Sequence, residues 1–336
     1  MQNTKPFFSI IIPAYNVEKY IARSISSVLN QSFQDFEIII INDGSVDKTI
    51  AIIDGYAKET EKINVLNHVK NESQHVSRID GVAASKGQYV LFLDSDDYFT
   101  DKALTILYNE IQKKPCYDFY EFGYIIQPSG KVILPSFKGK DRFPAYFSID
   151  NYPAHTMWNK VYDSILLKKA FASLERIFID NAEDTYESIV ISYYAKNIYI
   201  LKKKLINYSI GSGISTTYKD YEKTLTLFQS IKTMFDLVEN FLRKVNQNVE
   251  INNLFYKFFD YLINNYIITQ KNEEDKIKLF LNINNYFNNK IFLEYLYFNK
   301  KKLNDDLFSL INSIDYRLGQ ILLYPIKKIK HFLFKK

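Results

Sequence analysis

The sequence has one cysteine and one tryptophan among 336 residues, and it contains no long apolar segment. The single cysteine, Cys116, excludes an internal disulfide and a cysteine-based zinc site, and it favours a reducing compartment. No stretch reaches the roughly 18–20 uninterrupted apolar residues of a transmembrane helix. The opening residues also lack the pattern of a secretion signal. We therefore expect a cytoplasmic protein with a sizeable core, since 47% of its residues are hydrophobic.

Two common nucleotide-binding motifs are absent as well. No Gly-x-Gly-x-x-Gly follows the first apolar run at Phe7–Ile12, which argues against a dinucleotide fold of the Rossmann fingerprint type. No Gly-Lys-Ser/Thr of the Walker type occurs, which argues against a P-loop protein.

Acidic residues are absent from Tyr316–Lys336, which contains one Arg and five Lys. The tail therefore carries a formal charge of +6, and since the net charge is +5 the rest of the chain carries 5 − 6 = −1 and is close to neutral. That distribution argues against a nucleic-acid partner. Leu, Ile and Phe between the lysines predict an interfacial helix on the inner, anionic face of the cytoplasmic membrane, interrupted by Pro325. A solvated basic tail or a contact between protomers is the alternative.

Short apolar runs alternate with helical patterns in the first part of the chain, which favours an α/β fold with a doubly wound, mostly parallel sheet. Strands are predicted at Phe7–Ile12, Phe36–Ile41, Ile63–Asn67 and Tyr89–Leu93, and helices at Val17–Leu29, Asp47–Lys58 and Val76–Ser85. Polar clusters follow three of these strands, at residues 13–16, 42–45 and 94–97. Since ligands bind where parallel strands end, these clusters are expected to meet at one edge of the sheet.

The later sequence is less regular and then becomes helical. Its predicted strands are Tyr117–Ile126, Lys131–Leu134 and Asn197–Leu201, and its predicted helices are Ser164–Phe171, Ala182–Lys196, Glu222–Val249, Asn252–Gln270 and Lys276–Leu296. We expect an α/β domain over residues 1–218, a mainly α-helical region over 219–315 and the basic tail over 316–336.

Asp94, Ser95, Asp96 and Asp97 directly follow a buried strand. Repulsion between the three carboxylates is relieved by a divalent cation, and oxygen ligands at a strand end suit Mg²⁺ or Mn²⁺. A polar turn that caps a helix beginning near Thr100 is the alternative.

An ordered series of motifs resembles the family 2 inverting glycosyltransferases with a GT-A fold. The series spans roughly residues 7–215, and the nucleotide-binding half of the family is represented by its first five members. Its members are Ser9–Asn16, Ile41–Asp47, Ser77–Gly81, Lys86–Gly87, Phe92–Asp97, Met157–Tyr162 and Ala182–Asp184. Within the family, the segments around Trp158, Phe171 and Asp184 are most similar to bacterial lipooligosaccharide β-1,3-galactosyltransferases.

The resemblance implies transfer of a sugar from a UDP-sugar to an acceptor hydroxyl, with inversion, assisted by Mn²⁺ or Mg²⁺. It implies that Asp96 coordinates the metal and that Asp94 supports the metal or the ribose, with Ser95 beside the donor. Asp97 is expected to be either a supporting residue or a helix cap.

The same resemblance implies a uracil pocket formed by Pro13, Ala14, Tyr15 and Asp43. Asp43 would accept a hydrogen bond from the base, and Arg78 would contact the base or the phosphates. An Asx turn at Asp43 and a solvated Arg78 on a helix face are the alternatives. Ile79 stands where the family more often has Asn, which changes the local hydrogen bonding around the arginine.

Asp184 is implied as the general base, with Glu183 positioning the acceptor or tuning the base. An ordinary helix start is the alternative, since carboxylates suit that position. Trp158, Asn159 and Lys160 are expected to bind the sugar or phosphate, and a core tryptophan is the alternative.

The expected acceptor is a bacterial surface glycan, lipooligosaccharide or capsule, carried on a lipid. The expected sugar is galactose, or else glucose or an N-acetylhexosamine, and a homodimer is possible on this reading. Two rival functions are a nucleotidyltransferase and a non-catalytic carbohydrate-binding protein on the same fold.

Overall fold

Nine strands form one sheet in the described part of the chain. The computed structural model describes residues 5–139, 141–148, 153–210 and 221–267, together with Asp275, Lys278, Leu279 and Asn282. The strands are β1 Phe8–Ala14, β2 Phe36–Asn42, β3 Ile63–Asn67, β4 Tyr89–Phe92, β5 Tyr98–Phe99, β6 Phe119–Gln127, β7 Lys131–Ile133, β8 Lys160–Asp163 and β9 Ile198–Ser209. Their order is β3-β2-β1-β4-β8-β6-β9-β5, with β7 beside β6.

Helices connect these strands and follow them. They are α1 Ile21–Leu29, α2 Thr49–Glu59, α3 Gln74–Ala84, α4 Ala103–Lys113, α5 Arg142–Ala145, α6 Ser164–Phe171, α7 Glu183–Tyr194, α8 Tyr221–Lys244 and α9 Asn252–Leu262, the last continued by a π-helical turn at Ile263–Ile267. The predicted α/β fold, its mostly parallel sheet and the helical region after it are confirmed.

The parallel half of the sheet explains why its strands read as unbroken apolar runs. Strand β1 pairs in parallel with both β2 and β4, so that Ile10 lies between Ile38 and Leu91. All three side chains are fully buried. Helices cover such a sheet on both faces, and β-branched residues therefore fill its strands without alternation.

Helix α3 packs unusually close to this half of the sheet because of Gly81. A Cβ atom at that position would collide with the Ile11 side chain in β1. The close approach also fixes Arg78, one turn earlier on the same helix, next to the edge where the parallel strands end.

The second half of the sheet mixes parallel and antiparallel pairs, and it departs from the sequence-based expectations. Strand β8 was not predicted, yet it pairs antiparallel with both β4 and β6. Strand β9 continues eight residues beyond the predicted end at Leu201, through the exposed lysines 202–204, to Ser209. The two-residue strand β5 and the four-residue helix α5 were not predicted either, because short segments give weak patterns. Helix α4 was expected only as the helix beginning near Thr100 in the alternative reading of the acidic turn, and it begins at Ala103.

The chain divides into two compact units. Among described residues, the first unit holds 5–139, 141–146, 153–210 and 234–247, and it contains the whole sheet. The second holds 147–148, 221–233 and 248–267 and is helical, with Leu254 and Phe259 buried. No helix in the described ranges is long and apolar enough to span a membrane. The predicted boundary at residue 218 and the basic tail at 316–336 lie outside the described residues, as does most of the predicted helix at 276–296.

Candidate functional site

The three polar clusters that follow β1, β2 and β4 lie side by side at one edge of the sheet. The Asp43 amide donates to the Ala14 carbonyl at 2.8 Å, and the Leu93 amide donates to the Ile11 carbonyl at 2.9 Å. Parallel pairing of adjacent strands produces this convergence. The expected site edge is therefore present.

Asp43 is buried at the end of β2, and its carboxylate organises the loop before α3. Its two oxygens accept hydrogen bonds from the backbone amides of Glu72 and Ser73, at 2.8 and 3.0 Å. The local side-chain bond in this turn comes instead from Asn42, whose Oδ1 accepts from the Ser45 amide at 3.2 Å. The uracil contact expected of Asp43 stays a prediction.

A histidine that sequence reasoning missed extends from Asp43 toward α3. The ring nitrogens of His68 contact Asp43 at 2.6 Å and Asp80 at 2.9 Å. Burial opposes a charge on this imidazole, but hydrogen bonds to the two carboxylates outweigh it and raise the pKa of His68. Arg176 in turn pairs with Asp80 at 2.5 Å and with Glu72 at 2.8 Å.

The turn after β1 presents an exposed aromatic side chain. Ala14 is buried, whereas Tyr15 is 37% exposed. Asn16 adopts a positive φ of 52°, and its Oδ1 accepts from the Val46 amide at 2.9 Å. The turns after β1 and β2 are thus tied together, with the Tyr15 ring available to solvent beside Pro13.

Arg78 is the hub of the site, and the alternative of a solvated helix-face arginine is wrong. The residue is 1% exposed. Its Nη1 donates to Asp184 Oδ1 and, at 3.0 Å, to Glu187 Oε2. Glu183 and Asp94 lie 3.7 Å from the guanidinium. Burial opposes its charge, but the surrounding carboxylates, led by Asp184, raise the pKa of Arg78 further.

Asp94 and Asp96 occupy the turn after β4. Asp94 Oδ1 accepts from Gln74 Nε2 at 2.9 Å, and the Asp96 carbonyl accepts from Arg23 Nη2 at 2.6 Å. Burial raises the pKa of Asp94 to about 7, and the charges of Asp184 and Asp96 add to this rise. Ser95 between them is buried. The turn therefore brings its carboxyl groups close together, with the Arg78 guanidinium 3.7 Å from Asp94 and the Arg23 guanidinium on the Asp96 carbonyl.

Asp97 does not cap a helix, because α4 begins later, at Ala103. Its Oδ1 instead accepts from the Ser209 amide at 2.8 Å and ties the turn to the end of β9. Its Oδ2 is buried and has no hydrogen-bond partner among the described residues. Burial raises the pKa of Asp97 to about 9, so the neutral acid is the stable form at pH 7.

The donor set of this turn fits a divalent cation that takes most of its ligands from phosphates. No three His, Cys, Asp or Glu side chains in the described ranges converge to hold an ion by themselves. Asp94 and Asp96 offer carboxylate oxygens at a strand end, and the mutual repulsion that raises the pKa of Asp94 would fall if a cation bound. Mg²⁺ is usually held by one or two carboxylates plus substrate phosphates.

Glu183 and Asp184 form the first turn of α7, where carboxylates suit the helix dipole. The preceding residue, Ala182, has a positive φ of 67°, an uncommon conformation for a residue with a Cβ atom. Burial, together with the charge of Asp184, raises the pKa of Glu183 to about 8. Asp184 therefore lies beside a largely protonated neighbour and against the Arg78 guanidinium.

Glu187, one turn further along α7, connects Arg78 to a buried histidine. His75 Nδ1 lies 2.7 Å from Glu187 Oε1, and His75 Nε2 lies 2.9 Å from the Glu175 carbonyl. Both side chains are fully buried. Sequence reasoning missed this pair. The one signal for it is an ionisable residue on the buried face of each of two helices, and these two residues are 112 positions apart in the sequence.

Trp158, Asn159 and Lys160 are all buried, and the alternative of a core tryptophan describes the placement of Trp158. The Trp158 ring stacks on Tyr208 with centroids 5.0 Å apart and meets the edge of Tyr124 at 4.7 Å. The Tyr208 hydroxyl lies close enough to the acidic turn that burial and the charge of Asp97 raise its pKa to about 12. Trp158 thus packs against Tyr208 from within the core.

The polar atoms of Asn159 and Lys160 are engaged by the protein. Asn159 Nδ2 donates to the Phe122 carbonyl at 3.1 Å, and Lys160 Nζ donates to the Thr156 carbonyl and to Asn159 Oδ1. Burial lowers the pKa of Lys160 well below its usual value. The sugar or phosphate contacts expected of these residues stay predictions.

Comparison with known proteins gives the same assignment as the motif series. Residues 9–172 match the family model "Glycosyl transferase family 2". The putative glycosyltransferase EpsH of Bacillus subtilis (strain 168) is 28% identical over 260 residues, which cover 72% of this chain and 71% of EpsH. The putative teichuronic acid biosynthesis glycosyltransferase TuaG of the same organism is 37% identical over 137 residues, which cover 41% of this chain but only 54% of TuaG.

Among solved structures, the fold is similar to that of S. aureus TarS 1–349 in complex with UDP-GlcNAc. The TM-score is 0.63 at 20% identity, with 94% of this chain and 92% of the TarS chain covered. At that identity the likeness shows the fold alone, and it is GT-A-like. Residues 9–172 thus match the family 2 glycosyltransferases, and the fold that carries them is GT-A-like.

Proposed function

We propose that the protein is an inverting glycosyltransferase that moves a sugar from a UDP-sugar to a hydroxyl of a bacterial surface glycan. The observation that carries the proposal is the position of Arg78. Its guanidinium binds Asp184, the candidate base, and also faces Asp94 in the acidic turn at 3.7 Å. An in-line displacement with inversion needs the base and the leaving diphosphate on opposite sides of the anomeric carbon, and Arg78 would fix the base relative to the turn that faces the diphosphate.

Asp184 would take the proton from the acceptor hydroxyl as its oxygen attacks the anomeric carbon. Arg78 Nη1 donates to Asp184 Oδ1 and would hold this carboxyl group in place for the step. Glu183, with its pKa raised to about 8, would be a hydrogen-bond donor to the acceptor rather than a second base. The two adjacent acids therefore have different roles, set by their surroundings.

The leaving diphosphate would lie over the turn at Asp94, Ser95 and Asp96. When bound there, Mn²⁺ or Mg²⁺ would neutralise charge on the departing UDP. Asp96 and Asp94 are the residues that would hold it. The two carboxylates repel each other, and a cation bound beside them would relieve that repulsion.

The nucleoside would sit at the ends of β1 and β2. The exposed Tyr15 ring suits stacking on uracil, and the Pro13–Ala14 backbone lines the same edge. One lone-pair direction of the Asp43 carboxylate is not used by its three observed partners, and it would serve the base. Trp158, Asn159 and Lys160 would shape the sugar subsite from beneath, and a direct contact would need them to rearrange.

The acceptor class is proposed from the relatives, and the motif resemblance favours lipooligosaccharide or capsule as the glycan. TuaG is named for teichuronic acid biosynthesis, and TarS was solved with UDP-GlcNAc. Galactose, glucose, N-acetylglucosamine and N-acetylgalactosamine are the candidate sugars. The family match favours a glycosyltransferase over a nucleotidyltransferase, and the intact set of Asp94, Asp96 and Asp184 favours a catalyst over a binding protein.

A cytoplasmic location on the inner membrane face is part of this proposal, with a lipid-linked acceptor. The basic tail at 316–336 would bind the membrane, the region at 219–315 would form the helical part of the protein, and a homodimer is possible. Deletion of the tail should move the protein from the membrane fraction to the soluble fraction. An unchanged distribution would refute the anchoring role.

The experiment that tests the activity is a UDP-release screen with UDP-Gal, UDP-Glc, UDP-GlcNAc and UDP-GalNAc against several glycan acceptors. Acceptor-dependent UDP release by the wild type, together with its loss in Asp184→Asn, would support the proposal. UDP release that Asp184→Asn leaves unchanged would refute the assignment of the base.

A further inference from the structure

We propose that His75 and Glu187 are positioning residues that hold Arg78 against Asp184. The inference rests on the proposed function, because it assigns the geometry of the base in that reaction. Neither residue reaches the edge of the sheet where substrates would bind, since both side chains are fully buried. Their effect would therefore act through the arginine.

The contacts form one continuous chain of side chains from the interior to the candidate base. His75 Nδ1 lies 2.7 Å from Glu187 Oε1, and Arg78 Nη1 donates to Glu187 Oε2 at 3.0 Å. The same Nη1 donates to Asp184. Each carboxylate oxygen of Glu187 thus has its own partner. A rotation of this side chain would break at least one buried hydrogen bond.

The protons on His75 follow from what surrounds its ring. Nε2 faces the Glu175 carbonyl, which can only accept, so Nε2 carries a hydrogen. Nδ1 faces a carboxyl group, so a further proton lies between His75 and Glu187, on one or the other. This buried hydrogen bond holds the Glu187 carboxyl group in place, and the other oxygen of Glu187 accepts from Arg78.

His75 also fixes the segment that leads into α7, the helix that carries the candidate base. Its Nε2 donates to the carbonyl of Glu175, which lies in the segment that leads into α7. The Tyr186 hydroxyl accepts from the Glu175 amide at 3.2 Å, so this segment is tied to α7 as well. His75 therefore connects α3, the segment before α7 and the arginine that contacts Asp184.

Net stability does not explain such a cluster well. Buried ion pairs contribute little compared with apolar packing of the same volume. An arrangement that fixes a base to within a fraction of an ångström has a clear kinetic consequence, since a misplacement of about 1 Å can reduce the rate on the order of 100-fold.

The test separates the two hydrogen bonds of His75 with a matched pair of variants. Asn in His75→Asn can place its amide near the Nδ1 position and keep the Glu187 contact. Gln in His75→Gln can reach the Nε2 position and keep the Glu175 carbonyl contact. We expect His75→Asn to keep kcat within about tenfold and His75→Gln to lose on the order of 100-fold, with the KM for the UDP-sugar changed less than about threefold in both.

Crystal structures of both variants give a readout that does not depend on activity. We expect Arg78 Nη1 to remain on Asp184 in His75→Asn and to leave it in His75→Gln. Glu175→Gln is the control, because within the described part of the chain its carboxylate pairs with the exposed Lys244 at 2.9 Å, while its backbone carbonyl is unchanged. If His75→Gln does not fold, Glu187→Gln and Glu187→Met form the second pair, and only Glu187→Gln should keep the Arg78–Asp184 contact.

The outcomes distinguish this inference from the proposed function. Equal kcat values in the two histidine variants, or an Arg78–Asp184 contact that persists in both, would overturn the positioning role. A parallel loss of donor affinity and kcat would overturn it too, since it would indicate a role in binding. If the wild type releases no UDP from the four donors in the screen, the proposed function fails, while the crystal structures still decide the positioning claim.

Discussion

Arg78 Nη1 donates a hydrogen bond to Asp184 Oδ1, across 106 residues of sequence. The contact joins α3, which precedes the acidic turn, to the first turn of α7. One buried guanidinium is therefore shared by the candidate base and, through Asp94, by the turn that would face the leaving diphosphate. Proton removal and leaving-group departure would occur around a single fixed cation.

Replacement of Asp184 by Asn should abolish transfer and leave donor binding intact. The amide cannot accept a proton, and a positioned base typically contributes about 10²–10⁴-fold to the rate. The measurements are kcat by UDP release and UDP binding by calorimetry. Asp180→Asn is the control, since that carboxyl is exposed in the segment before α7. Loss of UDP binding in Asp184→Asn would indicate a donor-binding residue instead.

Replacement of Arg78 by Met should destabilise the protein strongly, because it leaves Glu183, Asp184 and Glu187 close together without a cation. Removal of one partner from a buried ionic cluster costs about 3–5 kcal/mol. Urea unfolding at pH 7 gives the free energy of unfolding. Arg176→Met is the matched control: Arg176 is half exposed in its two ion pairs, and such pairs contribute about 0–1 kcal/mol. Similar losses in the two variants would contradict the assigned difference in burial.

The sequence predicted the parallel half of the sheet well because each of its strands is an apolar run bounded by turn residues. Strand β8 was not predicted because Lys160 and Asp163 interrupt its apolar pattern. Strand β9 was predicted too short because three consecutive lysines, at 202–204, follow its first apolar residues. The acidic turn and Asp184 could be found because they are local motifs. His68, His75 and Glu187 could not be found, since their roles depend on partners that are distant in sequence and on burial that no local pattern encodes.

Two glycine-to-alanine substitutions should change stability in opposite directions. Gly81→Ala places a methyl group against Ile11 where α3 packs on β1, and overpacking typically costs about 1–3 kcal/mol. Gly55→Ala, in the interior of α2, has no neighbour within 4 Å and should stabilise the protein by about 0.5–1 kcal/mol. The free energies of unfolding in urea measure both. Gly81 has no side chain that could act in the reaction. A loss of transfer activity in folded Gly81→Ala would therefore indicate that Arg78 is displaced. Equal stabilities for the two variants would refute the close packing of α3.

The contribution of His68 to stability should decrease as the pH rises above neutrality. The hydrogen bonds to Asp43 and Asp80 raise its folded-state pKa above the usual value of 6.5. The stabilisation is then fully present below pH 6.5 and is lost as the pH rises through the folded-state pKa. His68→Gln keeps a neutral hydrogen-bonding side chain but cannot become a cation. We expect the wild type to be more stable than His68→Gln at pH 6 and the difference in unfolding free energy to shrink by pH 8–9. A difference that stays constant over this range would show that folding leaves the pKa of His68 unchanged, and one that grows would show that folding lowers it; either result would contradict the prediction.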